Sequence, residues 1–295
     1  MATRLRVLER EITVTIFVVT LQCLDRPGIV LAASTAIVSV DGNILENDQF
    51  TDPVTSQFCM RTRFESATTD LDGVHGVLTA ALVSFEPVLT VRREDVQRRA
   101  LVMVSQYDHC LAELLYRRDS GDLPLDVVAV VSNHDTCAPL ARRHNVPYFE
   151  IPVTPSTKNA AENDLRGLLT RFDVDFVVLA RYMQVLSGEL CRDLAGRAVN
   201  IHHSFLPGFK GARPYHQAYQ RGVKLIGATA HFVTAELDEG PIIDQDVVRV
   251  SHARRPSDMV SLGRDVERTV LARAVRLLAE DRVALVGHRT IIFSQ

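Results

Sequence analysis

The sequence predicts an α/β protein of two domains, a small α+β unit followed by a larger, open and mainly parallel sheet. Three observations lead to this prediction: the length of 295 residues, the order of short segments before residue 93, and an alternation of apolar and amphipathic segments after residue 100. A chain of this length favours two domains. We place the boundary at the charged run Arg92–Arg99, which gives domains at residues 1–93 and 94–295.

The first domain is predicted from the order of its segments. A strand rich in Thr, Val, Ile and Phe covers Ile12–Leu21, and Pro27 then opens a helix that Gly42 ends. Two strands, a second helix and a closing strand follow, at residues 43–52, 54–64, 70–85 and 86–93. The order β-α-β-β-α-β is typical of a ferredoxin-like unit.

The second domain shows short, nearly continuous apolar runs separated by amphipathic segments. Strands that are buried on both faces have this composition, and their alternation with helices indicates a parallel sheet. The apolar runs lie at residues 100–105, 126–132, 146–152 and 175–181, and amphipathic segments at 109–118 and 161–172. We expect residues 196–205 to form the last core strand. Strand-like segments then follow at 227–234 and 240–250, and a helix at Ser257–Glu280.

Bulk composition excludes several classes of function. The formal net charge of -3 offers no positive field that would attract nucleic acid. The five cysteines are scattered without a CxxC pair, so we expect reduced, buried thiols in a cytoplasmic protein. The apolar stretch near the N-terminus is short and follows charged residues, which indicates a strand and not a signal peptide. No apolar run reaches the roughly 18 residues that a membrane span requires.

The stretch "NIHHSFLPGFKG" places an amide and two histidines where the last core strand is expected to end. Side chains alternate along a strand, so Asn200 and His202 should project together and His203 should point the other way. An Asn amide can stabilise a developing oxyanion, and a nearby His can move a proton. The pair suits acyl transfer without a covalent nucleophile. A structural Asn–His pair in a turn is the alternative interpretation.

A second pair of polar residues follows in "AHFVTAELDEGP". Asp238 lies seven residues after His231 and could fix the tautomer of that imidazole, although a surface turn would also explain the aspartate. The roles of His203 and His216 stay open. The histidines show no HxxxH or HExxH spacing, and we expect no metal site. The segment at Ser105–His109 carries no glycine and is not built to enclose a phosphate.

These segments together resemble the folate-dependent formyltransferase family, over roughly residues 100–280. The resemblance implies a Rossmann-like formyltransferase domain in which Asn200, His202 and Asp238 form the catalytic set, with His231 in support. The family's folate-facing segment corresponds to "LARYMQVLS". Folate-binding residues are therefore expected at Met183, Gln184, Val185, Leu186, Ser204 and Gly208.

The first domain resembles an ACT domain in its segments "CLDRPGIV" and "DGNILENDQF". This resemblance implies a homo-oligomer with a possible small amino-acid effector. The expected effector-binding residues are Asp25, Arg26, Pro27, Gly28, Gly42, Asn43 and Ile44.

An ACT domain before this core is the arrangement of the family's hydrolytic branch. The resemblance thus implies hydrolysis of 10-formyltetrahydrofolate to formate and tetrahydrofolate. No tightly bound cofactor is expected, and the released formate would serve purine synthesis and one-carbon balance. Water would attack the formyl carbon, Asn200 would donate to the formyl oxygen, His202 would protonate the departing nitrogen, and Asp238 would order the water. Transfer of the formyl group to an amine, or a sensor with an inactive core, remain the alternatives.

Overall fold

The structure, a computed structural model, describes residues 14–208 and 214–294 and divides into two compact units. Of the described residues, the first unit holds 14–96 and 293–294, and the second holds the remainder from 97 to 292. The division falls three residues after the boundary expected from the sequence. Strand pairing explains part of this difference, because the Glu94 amide still donates to the Ile16 carbonyl oxygen at 2.8 Å.

The first unit follows the predicted order of elements, with a one-turn 3-10 helix at Val83–Phe85 before the last strand. Its elements are β1 (Thr15–Leu24), α1 (Ile29–Ser39), β2 (Asn43–Thr51), β3 (Gln57–Ser66), α2 (Leu71–Leu82) and β4 (Val88–Arg93). The strands form an antiparallel sheet in the order β2-β3-β1-β4. This is the ferredoxin-like arrangement of an ACT-like domain, as the sequence predicted.

Several boundaries in this unit differ from the prediction, including those of β1, α1 and β3. Strand β1 continues three residues beyond Leu21, because its pairing with β3 extends to Leu24 opposite Gln57. The predicted start of this strand, Ile12, lies outside the described residues. Helix α1 begins at Ile29 and not at Pro27, with Gly28 as its N-cap. One face of the sheet packs on both helices around Phe17 and Phe64, whose rings stack at 5.3 Å.

The second unit is built on a seven-stranded sheet. Its elements up to the fifth strand are β5 (Arg98–Val104), α3 (His109–Asp119), β6 (Leu125–Ser132), α4 (Ala138–Arg143), β7 (Tyr148–Glu150), α5 (Lys158–Arg171), β8 (Phe176–Leu179), α6 (Gly188–Asp193) and β9 (Ala198–His202). The remaining elements are α7 (Pro214–Gln220), β10 (Leu225–Phe232), β11 (Ile242–Arg249), α8 (Pro256–Ala279), β12 (Val283–Val286) and β13 (Arg289–Ile292). The last two strands pair only with each other.

The order of the large sheet, β11-β10-β9-β8-β5-β6-β7, places the site. The pairs from β7 to β9 are parallel, and β10 and β11 extend the sheet with antiparallel pairing. Strand β9 is therefore the last parallel strand, but two further strands lie beyond it. The chain reverses its direction of strand addition between β5 and β8. In open α/β sheets, ligands bind at such a switch point, beyond the carboxyl ends of the strands.

Helices cover both faces of this sheet, so its parallel strands are buried on both sides as their composition predicted. On one face α3 and α8 bury Leu111, Leu114 and Val270, and on the other α5 and α6 bury Leu165 and Leu190. All five cysteines are buried and unpaired. None of the helices in residues 14–208 and 214–294 combines the length and apolar character of a membrane-spanning segment.

Candidate active site

A cavity of about 580 Å³ opens beyond the carboxyl ends of β5, β8 and β9, at the switch point of the second unit. Four of its walls come from separate segments: the loop after β8, the end of β9, the end of β10 with the turn after it, and helix α8. Its polar and charged lining residues are Tyr107, His109, Arg181, Tyr182, Gln184, Asn200, His202, His203, Tyr215, His216, His231, Thr234, Glu236, Asp238, Arg264 and Glu267. All four predicted catalytic residues are among them.

Asn200 and His231 face each other across antiparallel strands β9 and β10, where they are register partners. The Nδ1 atom of His231 lies 2.8 Å from the backbone oxygen of Phe232, so this nitrogen carries the proton and donates. Its Nε2 is then an acceptor for the Asn200 amide Nδ2, at 3.2 Å. Burial lowers the pKa of His231, which keeps the ring neutral. The sequence suggested that Asp238 fixes the tautomer of His231. In the structure, the backbone oxygen of Phe232 fixes it instead.

His202 is the histidine that Asp238 holds. Its Nδ1 lies 3.1 Å from Asp238 Oδ1, whereas His231 Nε2 is 3.9 Å from the same oxygen. Burial would raise the pKa of Asp238, but the hydrogen bond and charge of His202 outweigh this effect, so the pKa lies below its ordinary value. The other ring nitrogen, His202 Nε2, is buried and has no hydrogen-bond partner in the described residues.

The turn that carries Asp238 depends on two unusual backbone positions. Asp238 itself has a φ of 58°, the left-handed region that Asp and Asn tolerate better than most side chains. At Gly240, an added Cβ would lie 1.7 Å from the backbone oxygen of Phe232, so only glycine allows this close approach. The same oxygen fixes the tautomer of His231. The tight turn therefore holds in place both Asp238 and the Phe232 oxygen that fixes the tautomer of His231.

The prediction for His203 was wrong. Its ring does not point away from the pair but stacks on His202, with ring centroids 5.1 Å apart and planes at 30°. The alternation of side chains holds only within a strand, and β9 ends at His202. Burial, followed by the positive charge of Arg181, lowers the pKa of His203 to about 3. His203 is thus a neutral ring packed against the ring of His202.

The segment Met183–Leu186 lines the cavity as predicted, and buried polar groups hold it at both ends. The Met183 amide donates to Ser105 Oγ at 2.9 Å, and the Ser187 amide donates to Glu162 Oε1 at 2.8 Å. Ser187 Oγ also hydrogen-bonds to Glu162 Oε2. The side chains of Ser105 and Glu162 therefore hold this loop in position at its two ends.

Ser204 and Gly208, which were also predicted to bind folate, do not line the cavity in the structure. Ser204 Oγ donates to the Gly208 oxygen at 2.8 Å, and Thr229 Oγ1 donates to the Ser204 oxygen at 3.0 Å. In the described part of this loop, the polar groups of Ser204 and Gly208 are thus used within the loop and against β10, where they support the strand ends.

Known proteins of one family are similar to this chain over nearly its whole length. Residues 98–275 match the family described as formyl transferase. The formyltetrahydrofolate deformylase of Corynebacterium sp. (strain P-1) is 45% identical over 277 residues, covering 93% of this chain and 97% of the relative. The crystal structure of a formyltetrahydrofolate deformylase from Pseudomonas syringae superposes with a TM-score of 0.92 at 44% identity, covering 96% of this chain and 95% of that one. The chain belongs to the formyltetrahydrofolate deformylase family.

The cavity of this deformylase-family protein also contains a group of residues that the sequence patterns did not indicate. Glu267 of α8 is buried, its Oε1 accepts a hydrogen bond from Tyr215 at 2.6 Å, and its Oε2 lies 2.8 Å from His109 Nε2. Burial would raise the pKa of Glu267, but the His109 hydrogen bond and the charge of Arg181 lower it below its ordinary value. These residues come from four separate segments without any motif spacing, so no sequence signal could have connected them.

This group is also the place in the described residues where donor atoms lie close enough to share a metal ion. The side chains of His109, Cys110 and Glu267 have ligand atoms within 4.8 Å of one another. A cation would compete there with two hydrogen bonds to Glu267 and with the Arg181 guanidinium, whose Nε is 3.5 Å from the carboxylate. Burial also raises the pKa of Cys110, which opposes the thiolate form that metals bind. The chemistry of this deformylase-family site therefore favours a charge-compensated network over a metal centre.

Proposed function

We propose that this chain hydrolyses 10-formyltetrahydrofolate to formate and tetrahydrofolate, with water as the acceptor of the formyl group. One observation carries the assignment of the chemistry: a carboxylate-held histidine with an open ring nitrogen lies in the same cavity as an amide that a second histidine orients. The full-length similarity to formyltetrahydrofolate deformylases supports the substrate and the reaction.

In the first step, water attacks the formyl carbon. Asp238 Oδ1 is engaged with His202, which leaves Oδ2 to accept a proton from the attacking water. The carbonyl electrons move to the formyl oxygen, which becomes an oxyanion. Asn200 Nδ2 carries two hydrogens, of which one bonds His231, and the second donates to this oxyanion. Donors of this kind typically contribute about 3 kcal/mol of transition-state stabilisation.

In the second step, the tetrahedral intermediate collapses. The C–N10 bond breaks as Nε2 of the protonated His202 donates its proton to the departing nitrogen. The product formic acid loses its proton to His202, and the proton on Asp238 returns to solvent. The balance is one formyl amide and one water consumed, and one formate, one amine and one proton released. His202 Nδ1 keeps its hydrogen bond to Asp238 throughout, so the ring stays oriented both before and after it gives up its proton.

His231 acts on Asn200 in this proposal, and not on Asp238 as the sequence suggested. Its neutral ring cannot supply a proton, and its Nε2 is closer to the Asn200 amide than to the Asp238 carboxylate. We therefore assign it as a positioning residue. Binding of the folate ring is assigned to the loop Met183–Leu186, whose backbone is held by buried side chains.

Formate release with water as the only acceptor tests the function. We expect purified protein to release one formate per tetrahydrofolate formed, and Asp238→Asn to reduce turnover by several orders of magnitude. Asn tolerates the left-handed backbone at this position, so the variant should keep the fold. Release that requires an added amine would indicate a transferase. Normal turnover by Asp238→Asn would remove Asp238 from the mechanism.

We propose that the enzyme needs no tightly bound cofactor, acts in the cytoplasm, and supplies formate for purine synthesis. Five buried, unpaired cysteines agree with a reducing compartment. An exchangeable folate fits the open cavity, whose lining is mixed polar and apolar.

We further propose a homo-oligomer that binds a small amino acid at the first unit. The candidate residues lie at opposite ends of the sheet in one ACT-like unit, in the β1–α1 loop and at the start of β2: Asp25, Arg26, Pro27, Gly28, Gly42, Asn43 and Ile44. Asp25 is fixed there by a hydrogen bond from Thr51 Oγ1 at 3.2 Å. Calorimetric titration with each amino acid, paired with rate measurements, tests this. Binding without any change in rate would contradict a regulatory role.

A further inference from the structure

Arg181 has an unusual environment at the wall of the cavity. Its side chain is only 11% exposed, and its Nε and Nη1 atoms are buried without a hydrogen-bond partner in the described residues. A guanidinium stays charged at every physiological pH, and a buried charge normally has its hydrogen-bonding capacity filled. These donors are therefore free for a ligand that carries acceptor oxygens.

Glu267 neutralises this charge only in part. The distance from Arg181 Nε to Glu267 Oε2 is 3.5 Å, too long for a strong hydrogen bond. Both carboxylate oxygens already have closer partners in Tyr215 and His109, at 2.6 and 2.8 Å. The carboxylate thus holds the guanidinium in place while its donors stay available.

The backbone and the neighbours of Arg181 support a functional role. Its φ of 64° is a left-handed conformation that costs energy for a residue other than glycine, and such strain is concentrated at functional sites. The Tyr107 ring lies against two guanidinium groups, that of Arg181 at 5.6 Å and that of Arg264 at 5.2 Å. Two positive charges therefore converge at one end of the cavity.

This positive end lies close to the reacting groups. The His203 ring stacks on His202 at 5.1 Å and contacts the Tyr215 ring at 6.4 Å. The charge of Arg181 helps to lower the pKa of His203, which means that its field reaches the ring next to the catalytic histidine. An anion released at His202 would be repelled by Asp238 and attracted towards Arg181.

We propose that Arg181, with Arg264 across the Tyr107 ring, forms a carboxylate subsite that receives the formate product. This inference rests on the proposed function, since hydrolysis creates a carboxylate at the formyl carbon. A glutamate carboxylate of the folate has the same chemistry. The free donors of Arg181 are buried, and Glu267, Tyr215 and the stacked His203 ring connect its guanidinium to His202. This position fits a small anion better than the flexible end of a large ligand.

Product inhibition by sodium formate tests the subsite, with the initial rate of tetrahydrofolate formation as the readout at constant ionic strength. We expect Arg181→Gln to raise the formate inhibition constant at least tenfold, and Arg181→Lys to raise it less. The KM for 10-formyltetrahydrofolate is measured in both variants, and we expect it to rise by a smaller factor than the inhibition constant does. Arg268→Gln is the matched control, because this partly exposed arginine of α8 pairs with Asp265 and does not line the cavity. An unchanged inhibition constant in a folded Arg181→Gln enzyme would overturn the proposal.

Two further measurements separate the other outcomes. Removal of Arg181 leaves the buried Glu267 charge without compensation, so Arg181→Gln combined with Glu267→Gln, and the exposed Arg264→Gln alone, are measured as well. Arg264→Gln should raise the formate inhibition constant severalfold in a fully folded protein.

If Arg181→Gln instead raises the KM for the glutamate-bearing folate and not for 10-formyltetrahydropteroate, the subsite binds the glutamate and the formate proposal is wrong. A wild-type protein that releases no formate would contradict the proposed function itself.

Discussion

The Nε2 atom of His231 accepts a hydrogen bond from the side-chain amide of Asn200, at 3.2 Å across strands β9 and β10. This contact fixes the direction of the amide before substrate binds. Oxyanion stabilisation depends on donors that are already oriented, because the transition state then requires no reorganisation. The role of Asn200 in catalysis should therefore depend on His231.

A matched pair of substitutions separates the two nitrogens of this ring. His231→Asn keeps a donor near the Phe232 oxygen and removes the acceptor for Asn200, whereas His231→Gln keeps a polar group near the Nε2 position. We expect His231→Asn to lower kcat roughly 10- to 100-fold with little change in KM, and His231→Gln to lower it less. In combination with Asn200→Ala, the His231→Asn loss should disappear. Additive losses would show that the two residues act independently.

Gly240 controls the turn that brings Asp238 to His202. In Gly240→Ala, the new Cβ would overlap the Phe232 oxygen, so the turn must move and carry Asp238 and the tautomer contact of His231 with it. We expect a loss of stability of about 2 kcal/mol or more and a larger fractional loss of kcat. Gly167→Ala in helix α5 is the control, since a Cβ there meets nothing within 4 Å and alanine favours the helix. Equal stability for both variants in urea would refute the steric explanation.

The half-buried His203 should make the protein sensitive to acid. Its pKa falls from 6.5 to about 3 on folding, so between these values only the unfolded chain binds the proton. Stability from this residue is complete above pH 6.5 and decreases as the pH falls towards 3, by about 1.4 kcal/mol for each pH unit. In His203→Gln this component of the decrease should vanish, and in the exposed His252→Gln it should remain. Urea unfolding at pH 7.5 and 5 measures the difference; parallel decreases would contradict it.

The Glu162 carboxylate should affect substrate binding more than turnover. It receives the backbone amide and the hydroxyl of Ser187, directly after the loop that lines the cavity. We expect Glu162→Gln to raise KM roughly 5- to 20-fold with kcat within about twofold, because the loop contributes uniform binding and no transition-state contact. Glu189→Gln is the control, since this exposed neighbour lies at the start of α6. A fall in kcat at constant KM would instead place Glu162 in the chemistry.

The periodicity of the sequence predicted the fold well because burial dictates it. Apolar runs gave β5, β6 and β8, and strand alternation correctly put Asn200 and His202 on the same side of β9. Alternation failed for His203 because it describes a strand and β9 has ended there. The alternation of side chains predicts their direction only within a strand or helix. Most of the polar side chains of this site lie at or beyond the ends of such elements, where it no longer applies.

The group around Glu267 could not be predicted for a different reason. Its members His109, Arg181, Tyr215 and Glu267 come from the start of α3, the loop after β8, helix α7 and helix α8, so they become neighbours only when the chain has folded. The partner of His231 was missed in the same way. Sequence distance pointed to Asp238, but the pairing of β9 with β10 puts Asn200 opposite the ring.

The cavity draws all of its lining, among the described residues, from positions 107 to 267 of the second unit. A substitution at any described position of the first unit therefore leaves every residue of this lining unchanged. A change in turnover from such a substitution, in a protein that stays folded, would support the regulatory role that we propose for the first unit. Variants of this enzyme can thus be sorted by position into those that test the proposed regulation and those that test the proposed chemistry.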